Sequence, residues 1–308
     1  MKGKEPDMKT VQVFHYDAFT TKPDKGNPAG IVLNGYDLSE REMQEVARKV
    51  GFNETVFAVH SDVADIRLRY FTPGQEMDLC GHATTAIVYA LKTTGGLGDK
   101  TEITIETNAG VLPVGIDQCG DETFVTMQQA TPQFKDFGGS KTELAQVLGV
   151  EREDIDDEMP TLYGSTGTWT LLVPIKTLDA FHKMKPKNKE FPSVLKELPK
   201  ASIHPFCMST NDPAADMHAR HFSSPFSGTV EDPVTGTASG VMGAYYAAYL
   251  RNDSEEKFNL VVEQGQEIGK DGRVAVCVSK CEETYTVKIK GTAVFVKEFE
   301  VSLEEKNP

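Results

Sequence analysis

Two stretches of the chain decide the fold: Asp78-Leu-Cys-Gly-His-Ala-Thr-Thr-Ala-Ile-Val-Tyr-Ala-Leu91 and Asp232-Pro-Val-Thr-Gly-Thr-Ala-Ser-Gly-Val-Met-Gly-Ala-Tyr-Tyr-Ala-Ala-Tyr-Leu250. In each stretch an aspartate precedes a glycine that opens an apolar helical sequence. A strand pattern with an arginine and a proline comes before each copy, and further strand patterns follow it. The repeat predicts two related halves with the same order of elements.

The two predicted helices are apolar almost all round, which is typical of helices that other elements enclose. A sheet wrapped around each helix would enclose it. We therefore expect an α+β fold of two similar halves, each a β-barrel-like sheet around a central helix, related by a pseudo-two-fold axis. The expected halves are residues 1–130 and 131–308, with the last strands able to pack back on the first half. The segment 131–139 is the expected linker.

The glycine-opened helix starts also predict a ligand class. First-turn amides of a helix have no intrahelical acceptors, and the helix dipole gives this end partial positive charge. Two such starts, at Gly81 and Gly236, indicate a site for a carboxylate.

Composition narrows the class of partner. The formal net charge is −14, from 32 basic and 46 acidic residues. A chain of this sign would be repelled by nucleic acid and by anionic membranes, so we expect a small-molecule partner, no nucleic acid and no membrane. The amino terminus has no apolar signal region, and the 5 cysteines form no Cys-x-x-Cys pair. We expect a cytoplasmic protein with reduced thiols and no zinc module.

A capping box predicts where the first candidate catalytic residue lies. Ser39 and Glu42 open an amphipathic helix that Gly51 is placed to end. Glu54 follows directly, in apolar company that would raise the pKa of its carboxyl and suit it to proton transfer. The alternative interpretation, a solvated carboxylate at a helix exit, has equal weight.

Other candidates lie at the two helix starts. His82 is expected in the first turn of its helix, where the dipole favours a neutral imidazole. Asp78 and Asp232 precede the two helices and are able to cap them or to face a ligand, and the rigid turn at Pro233 favours Asp232. The remaining histidines, His218 and His221 among them, are expected to be ordinary surface or core residues.

Cys80 suggests an alternative mechanism. A thiol near a helix amino terminus can act as a base, as a racemase would require. A racemase with two thiols needs a second cysteine in the other half, and the stretch Asp232–Thr237 has none. We therefore expect Cys80 to be a packing residue. Because neither a P-loop, a dinucleotide fingerprint nor a Gly-x-Ser-x-Gly elbow occurs, we predict no organic cofactor and no metal.

Five motifs, in this order and spacing, resemble the PhzF family, which is named for the phenazine-biosynthesis isomerase. They are Gly26-Asn-Pro-Ala-Gly30, Asn53-Glu-Thr-Val-Phe57, Phe71-Thr-Pro73, Cys80-Gly-His-Ala-Thr84 and Glu231-Asp-Pro-Val-Thr-Gly-Thr237. The resemblance extends from about residue 10 to 300. It implies the fold of diaminopimelate epimerase and proline racemase, a site in the cleft between two halves, and a homodimer.

The resemblance also implies roles for residues. Glu54 is then the acid/base that moves a proton between two carbons, and His82 and Asp232 assist. The implied substrate-binding residues are Asn27, Gly81, Ala83, Gly236 and Thr237. Thr237 replaces a common serine and keeps the hydroxyl, whereas the surroundings of His82 differ from those in the phenazine-pathway enzymes. The phenazine substrate is therefore not assumed.

Three functions follow, in order of support. The first is a cofactor-independent isomerase or epimerase that acts on a small carboxylate through Glu54. The second is a cysteine-dependent amino-acid racemase that uses Cys80. The third is a small-carboxylate-binding protein without turnover.

Overall fold

The computed structural model describes residues 9–251 and 255–303. The helices within these ranges are α1 (Glu40–Val50), α2 (Gly81–Thr93), α3 (Lys141–Leu148), α4 (Leu178–Lys183), α5 (Phe191–Val194) and α6 (Gly236–Tyr245), which a π-helical turn, Tyr246–Leu250, continues. The strands up to the middle of the chain are β1 (Lys9–Ala18), β2 (Asn27–Val32), β3 (Glu54–Val59), β4 (Ile66–Phe71), β5 (Glu76–Met77), β6 (Glu102–Thr107), β7 (Gly110–Cys119), β8 (Glu122–Gln128) and β9 (Gln133–Asp136). The later strands are β10 (Leu162–Ser165), β11 (Trp169–Pro174), β12 (Ser202–Cys207), β13 (Met217–Ala219), β14 (His221–Phe222), β15 (Glu231–Asp232), β16 (Lys257–Gln264), β17 (Gly272–Cys281), β18 (Thr284–Gly291) and β19 (Ala293–Leu303).

The chain forms two compact units, and neither is contiguous in sequence. Unit 1 contains the described residues of Met1–Asp24, Pro28–Val125 and Thr292–Pro308. Unit 2 contains those of Lys25–Asn27 and Thr126–Gly291. The expected linker, 131–139, includes strand β9, which pairs antiparallel with β10. This segment is therefore part of the sheet of unit 2.

In unit 1, strands surround α2. Strand β1 pairs antiparallel with β19, β3 with β4, and β6 with β7, whereas β4 and β6 run parallel. Helix α2 packs against β1, β3 and β19 and buries eight residues from His82 to Ala90. Helix α1 covers a second apolar cluster, in which Met43, Val46 and Ala47 meet residues of β1 and β19. The capping box of Ser39 and Glu42 is confirmed.

Unit 2 encloses α6 in the same manner. The helix packs against β10, β17 and β18 and is buried at nine of its ten residues. Gly243 permits the close approach, because a Cβ atom there would lie 2.6 Å from Val276 Cγ1 and 3.1 Å from Val278 Cγ2. Helices α3, α4 and α5 cover the other apolar cluster of this unit. No helix in the described ranges is long and apolar enough to cross a membrane.

The two enclosed helices begin with the same detail. The residue before each helix, Cys80 or Thr235, is extended and makes no hydrogen bond through its side chain to the helix amides. Four residues later a hydroxyl donates back to its carbonyl: Thr84 Oγ1 to Cys80 O at 2.7 Å, and Ser239 Oγ to Thr235 O at 2.9 Å. The sequence repeat thus extends to individual hydrogen bonds.

A buried ion-pair cluster lies beside α4 in unit 2. His218 lies between two carboxylates, with Nδ1 2.8 Å from Glu263 Oε1 and Nε2 2.9 Å from Glu267 Oε1. The ring of Phe181 packs edge-on against the imidazole. Burial opposes protonation of His218, but the two hydrogen-bonded carboxylates outweigh it and raise the pKa of the imidazole. His218 is therefore a core residue with a structural charge.

The raised pKa of His218 predicts a pH-dependent contribution to stability. The charged imidazole of His218 stabilises the folded state fully below the unfolded-state pKa of histidine, about 6.5. This stabilisation is lost as the pH rises through the higher pKa of His218 in the folded state. We expect His218→Gln to lower the free energy of unfolding by about 3–5 kcal/mol near pH 6. The penalty should shrink at higher pH.

Urea unfolding at a series of pH values measures this penalty. His60→Gln is the matched control, because the His60 side chain is 76% exposed beside Asp62. A penalty for His218→Gln that does not change with pH would show that the imidazole carries no structural charge.

Candidate active site

Glu54 is the first residue of β3 and lies next to the buried apolar residues of that strand. Gly51 ends α1 in the left-handed conformation, with φ of 73°, and its amide donates to Ala47 O. Three residues later the chain enters β3, where Val56 and Phe57 are fully buried. The Glu54 side chain is 19% exposed. Its carboxylate is therefore largely shielded but reachable.

His82 contacts this carboxylate. Nε2 of His82 lies 3.3 Å from Glu54 Oε2, and the imidazole is 7% exposed. The backbone before His82 is fixed by a short chain of hydroxyls. Because Thr84 Oγ1 donates to Cys80 O, it accepts from Tyr70 Oη, which lies 2.7 Å away. Burial raises the pKa of Tyr70, so this phenol stays protonated.

Cys80 completes the cluster. Cys80 is half-buried, and its Sγ lies 3.3 Å from His82 Nδ1. A carboxylate oxygen of Glu54, the Sγ of Cys80 and a ring nitrogen of His82 all lie within 4.8 Å of one another. The sequence predicts Cys80 as a packing residue, and the structure adds a contact with the imidazole. The Cys-x-His spacing at a helix start is the signal for that contact.

Unit 2 assembles a different polar cluster from predicted residues. Asn27 is fully buried, and its Nδ2 donates to Asp232 Oδ1 at 2.8 Å and to Val234 O at 2.9 Å. Thr235 Oγ1 donates to the other oxygen of Asp232, and Gln264 Nε2 donates to Asp232 O. The Asp232 turn is therefore held by hydrogen bonds from three residues. Sequence reasoning missed Thr235 and Gln264.

The remaining predicted residues lie in the first turns of the enclosed helices. Gly81 and Ala83 belong to the first turn of α2, and Gly236 and Thr237 to that of α6. Neither helix has a side-chain cap. Asp78, one of the two candidate caps, is exposed and does not cap α2. The first-turn amides of both helices are thus left for a ligand or solvent.

Two contacts made by histidines were not predicted. In unit 1, His15 Nε2 lies 2.9 Å from Asp17 Oδ1, both residues are buried, and the His15 ring packs 4.5 Å from that of Phe52. In unit 2, His204 and His221 contact each other beside Asp232. The contact between His204 and His221 depends on strand pairing that a sequence pattern does not reveal. His15 and Asp17 lie two residues apart on β1, so the alternation of the strand brings them to one face.

A family model for phenazine biosynthesis-like proteins, PhzC-PhzF, matches residues 16–299. The chain belongs to this family. A Bacillus subtilis protein named uncharacterized isomerase YfhB is 52% identical over 288 residues, which cover 94% of this chain and 97% of that one. Trans-2,3-dihydro-3-hydroxyanthranilate isomerase of Pseudomonas aeruginosa is 28% identical, over 84% of this chain and 87% of that one. The protein is an isomerase.

Solved structures confirm the fold. A phenazine biosynthesis protein of the PhzF family from Bacillus anthracis is 61% identical and superposes with a TM-score of 0.94 over 96% of this chain and 99% of that one. A hydroxyproline epimerase from Agrobacterium vitis has a TM-score of 0.64 over 99% of this chain and 94% of that one, at 13% identity. The second comparison bears on the fold alone, and it confirms the epimerase-like architecture.

The Asn27 hydrogen bonds predict the effect of a nearly isosteric change. Asn27→Asp replaces the donating amide with an oxygen that faces Asp232 Oδ1 and Val234 O. Two hydrogen bonds are lost and like charges meet in a buried position, so we expect the free energy of unfolding to fall by about 3 kcal/mol or more at pH 7.

The penalty should decrease near pH 4, where a protonated carboxyl can donate again. Thermal or urea unfolding measures it, with Asn259→Asp on the exposed face of β16 as control. Equal stability of the two variants would contradict the assigned orientation of the Asn27 amide.

Proposed function

We propose that the protein moves a proton between two carbons of a small carboxylate substrate, with Glu54 as the acid/base. The contact between Glu54 Oε2 and His82 Nε2, at 3.3 Å, carries the proposal. A carboxylate next to an imidazole, both largely shielded from water, is an arrangement suited to general acid/base catalysis. The reaction class agrees with the isomerase names of the relatives.

The chemistry needs only a proton carrier. The Glu54 carboxylate takes a proton from one carbon of the substrate, and the electron pair of the broken C–H bond moves into the adjacent unsaturated system. Glu54 then returns the proton to a second carbon, so substrate and product are isomers. His82 holds the carboxylate in position and stabilises its charge through the Nε2 contact. The Glu54 side chain is 19% exposed, so its carboxyl can exchange the proton with solvent during the reaction.

The helix starts supply the proposed binding groups. The first-turn amides of either enclosed helix, at Gly81 and Ala83 in α2 or at Gly236 and Thr237 in α6, would bind a carboxylate of the substrate. The glycines allow a ligand to approach the backbone closely. Asp232, held by Asn27 and Thr235, would orient a polar group of the substrate.

The proposed substrate class is a cyclic carboxylic acid. The Pseudomonas aeruginosa relative is named for trans-2,3-dihydro-3-hydroxyanthranilate, which has this chemistry and is a suitable first probe. An NMR screen of cyclic carboxylic acids in deuterated water extends the search, because proton transfer leaves deuterium on a product carbon. Cytoplasmic location and a homodimer stay predictions from the sequence.

Glu54→Gln provides the central test. The amide keeps the shape of the carboxyl group but cannot cycle a proton, so turnover should fall by roughly 100-fold or more. Deuterium incorporation measures turnover, and calorimetry measures binding of the same compound, which should be almost unchanged. Glu102→Gln, at an exposed position of β6, is the matched control and should behave as the wild type.

The outcomes separate the remaining functions. Full turnover in Glu54→Gln would refute the proton carrier. Binding of a carboxylate by the wild type without deuterium incorporation anywhere in the screen would favour the binding protein over the enzyme. The proposal needs no metal, so enzyme dialysed against EDTA should keep its rate.

The cysteine-dependent racemase is the second candidate, because Cys80 Sγ contacts His82. A racemase with two thiols needs a second reactive thiol. In unit 2, Cys207 is buried, and burial raises the pKa of its thiol to about 12. This thiol is a poor base near neutral pH.

We therefore expect Cys80→Ser to lower turnover by less than about tenfold, because Glu54 carries the proton in the proposed reaction. A hydroxyl is a poor base at neutral pH, so an enzyme that used the thiol as its base would lose its activity in this variant. Cys119→Ser, at an exposed position of β7, is the control. Loss of activity in Cys80→Ser comparable to that of Glu54→Gln would support the racemase.

A further inference from the structure

Three side chains lie in a row across neighbouring strands of unit 2. The antiparallel pairing of β12 with β14 joins Ile203 to Phe222, and this register places His204 opposite His221. The pairing of β14 with β15 joins His221 to Asp232. Directly opposed residues of antiparallel strands point to the same face, with Cβ atoms about 4.5–5.5 Å apart. The row therefore runs from the core to the Asp232 turn.

The two histidines contact each other through like atoms. Nδ1 of His204 lies 3.2 Å from Nδ1 of His221. His204 is fully buried, and His221 is half-buried. Burial lowers the pKa of both imidazoles, and the nearby Asp232 only partly opposes this for His221. Both rings are therefore neutral near pH 7, and one Nδ1 must donate to the other.

Hydrogen-bond accounting decides which ring donates. Nε2 of His204 is buried without a partner among the described residues. If His204 accepted at Nδ1, its proton would sit on this Nε2 as an orphaned donor. If His204 donates from Nδ1, its Nε2 carries only an unpaired lone pair. A buried acceptor without a partner is more common in proteins than a buried N–H group without one. The second arrangement makes His221 accept at Nδ1 and carry its proton on Nε2.

We propose that His221 binds the substrate as a hydrogen-bond donor through Nε2–H, and that His204 is the positioning residue that fixes this tautomer. The substrate role rests on the proposed function. The Nε2–H group of His221 donates a hydrogen bond, and the neighbouring Asp232 carboxylate accepts one. A hydroxyl group of the substrate can accept from the first and donate to the second. Each Asp232 oxygen keeps lone-pair capacity beside its bond to Asn27 or Thr235. The ligand class is therefore a hydroxylated carboxylic acid.

The tautomer is measured without any substrate. Long-range ¹H–¹⁵N spectra of the wild type with ¹⁵N-labelled histidine, assigned with His204→Gln and His221→Gln, report the protonation of each ring nitrogen. At pH 7 we expect a protonated Nδ1 on His204, and on His221 an unprotonated Nδ1 with a protonated Nε2. The opposite tautomers, or a charged ring, would overturn the proposal. The measurement needs no turnover, so its outcome does not depend on whether Glu54 is the acid/base.

Variants test the contact with substrate. The amide of Gln places a donor near the Nε2 position of histidine, whereas that of Asn lies near Nδ1. For trans-2,3-dihydro-3-hydroxyanthranilate we expect His221→Asn to raise KM about tenfold with little change in kcat, and His221→Gln to restore most of the affinity. His204→Phe should raise KM similarly, and His204→Asn, which keeps a donor toward His221, should not.

The hydroxyl is tested by removing it from the ligand. The wild type should bind the probe about tenfold more tightly than the same compound without its hydroxyl, and His221→Asn should bind both alike. Calorimetry gives these affinities even in the Glu54→Gln background, so a failure of turnover does not affect them. An unchanged preference in His221→Asn would refute the contact, and failure of the wild type to bind either compound would refute this ligand class.

Discussion

The burial of a nearly all-apolar helix inside the strands of each unit is the constraint on which the rest of the structure depends. Helices α2 and α6 are buried along most of their length, and as in any helix only the backbone N–H groups of the first turn lack an acceptor within the helix. Neither helix closes that turn with a side-chain cap. The same packing that stabilises the fold therefore leaves the unsatisfied donors at the two points where the polar clusters lie.

The repeated scaffold supports different chemistry in its two copies. Both helices share the hydroxyl that bonds back to the residue before the helix, from Thr84 in one case and Ser239 in the other. Around that shared frame, unit 1 places a carboxylate, an imidazole and a thiol, which are groups that exchange protons. Unit 2 places the Asp232 carboxylate in a fixed set of hydrogen bonds, which suits orientation. The two copies of the scaffold thus carry different sets of polar side chains.

Local rules predicted what depends on local sequence. The capping box at Ser39, the left-handed Gly51 and the position of Glu54 just beyond it follow from a few adjacent residues. The enclosed position of α2 and α6 was also predicted from local sequence, because each helix is a continuous stretch of mostly apolar residues. The resemblance to known motifs then singled out Asn27 and Asp232, which the structure joins by a hydrogen bond.

Long-range pairing explains what was missed. The ion pairs of His218 with Glu263 and Glu267 span more than 40 positions, and the row of His204, His221 and Asp232 depends on the register of three short strands. A shift of one residue would turn these side chains to the opposite face, and sequence alone does not give the register. The segment 131–139, predicted as a linker, contains strand β9, whose pairing with β10 is likewise non-local.

The discontinuity of the two units bears on how the protein is made. The Asp232 turn of unit 2 receives its amide from Asn27, 205 positions earlier. Strand β1 of unit 1 pairs over its whole length with β19, near the end of the chain. The chain is synthesised through the whole of unit 2 before β19 becomes available, so unit 1 cannot close until unit 2 has been made. Strand β1 must wait for its partner β19 with an unpaired edge, which makes this topology slow to fold and exposes it to aggregation during synthesis.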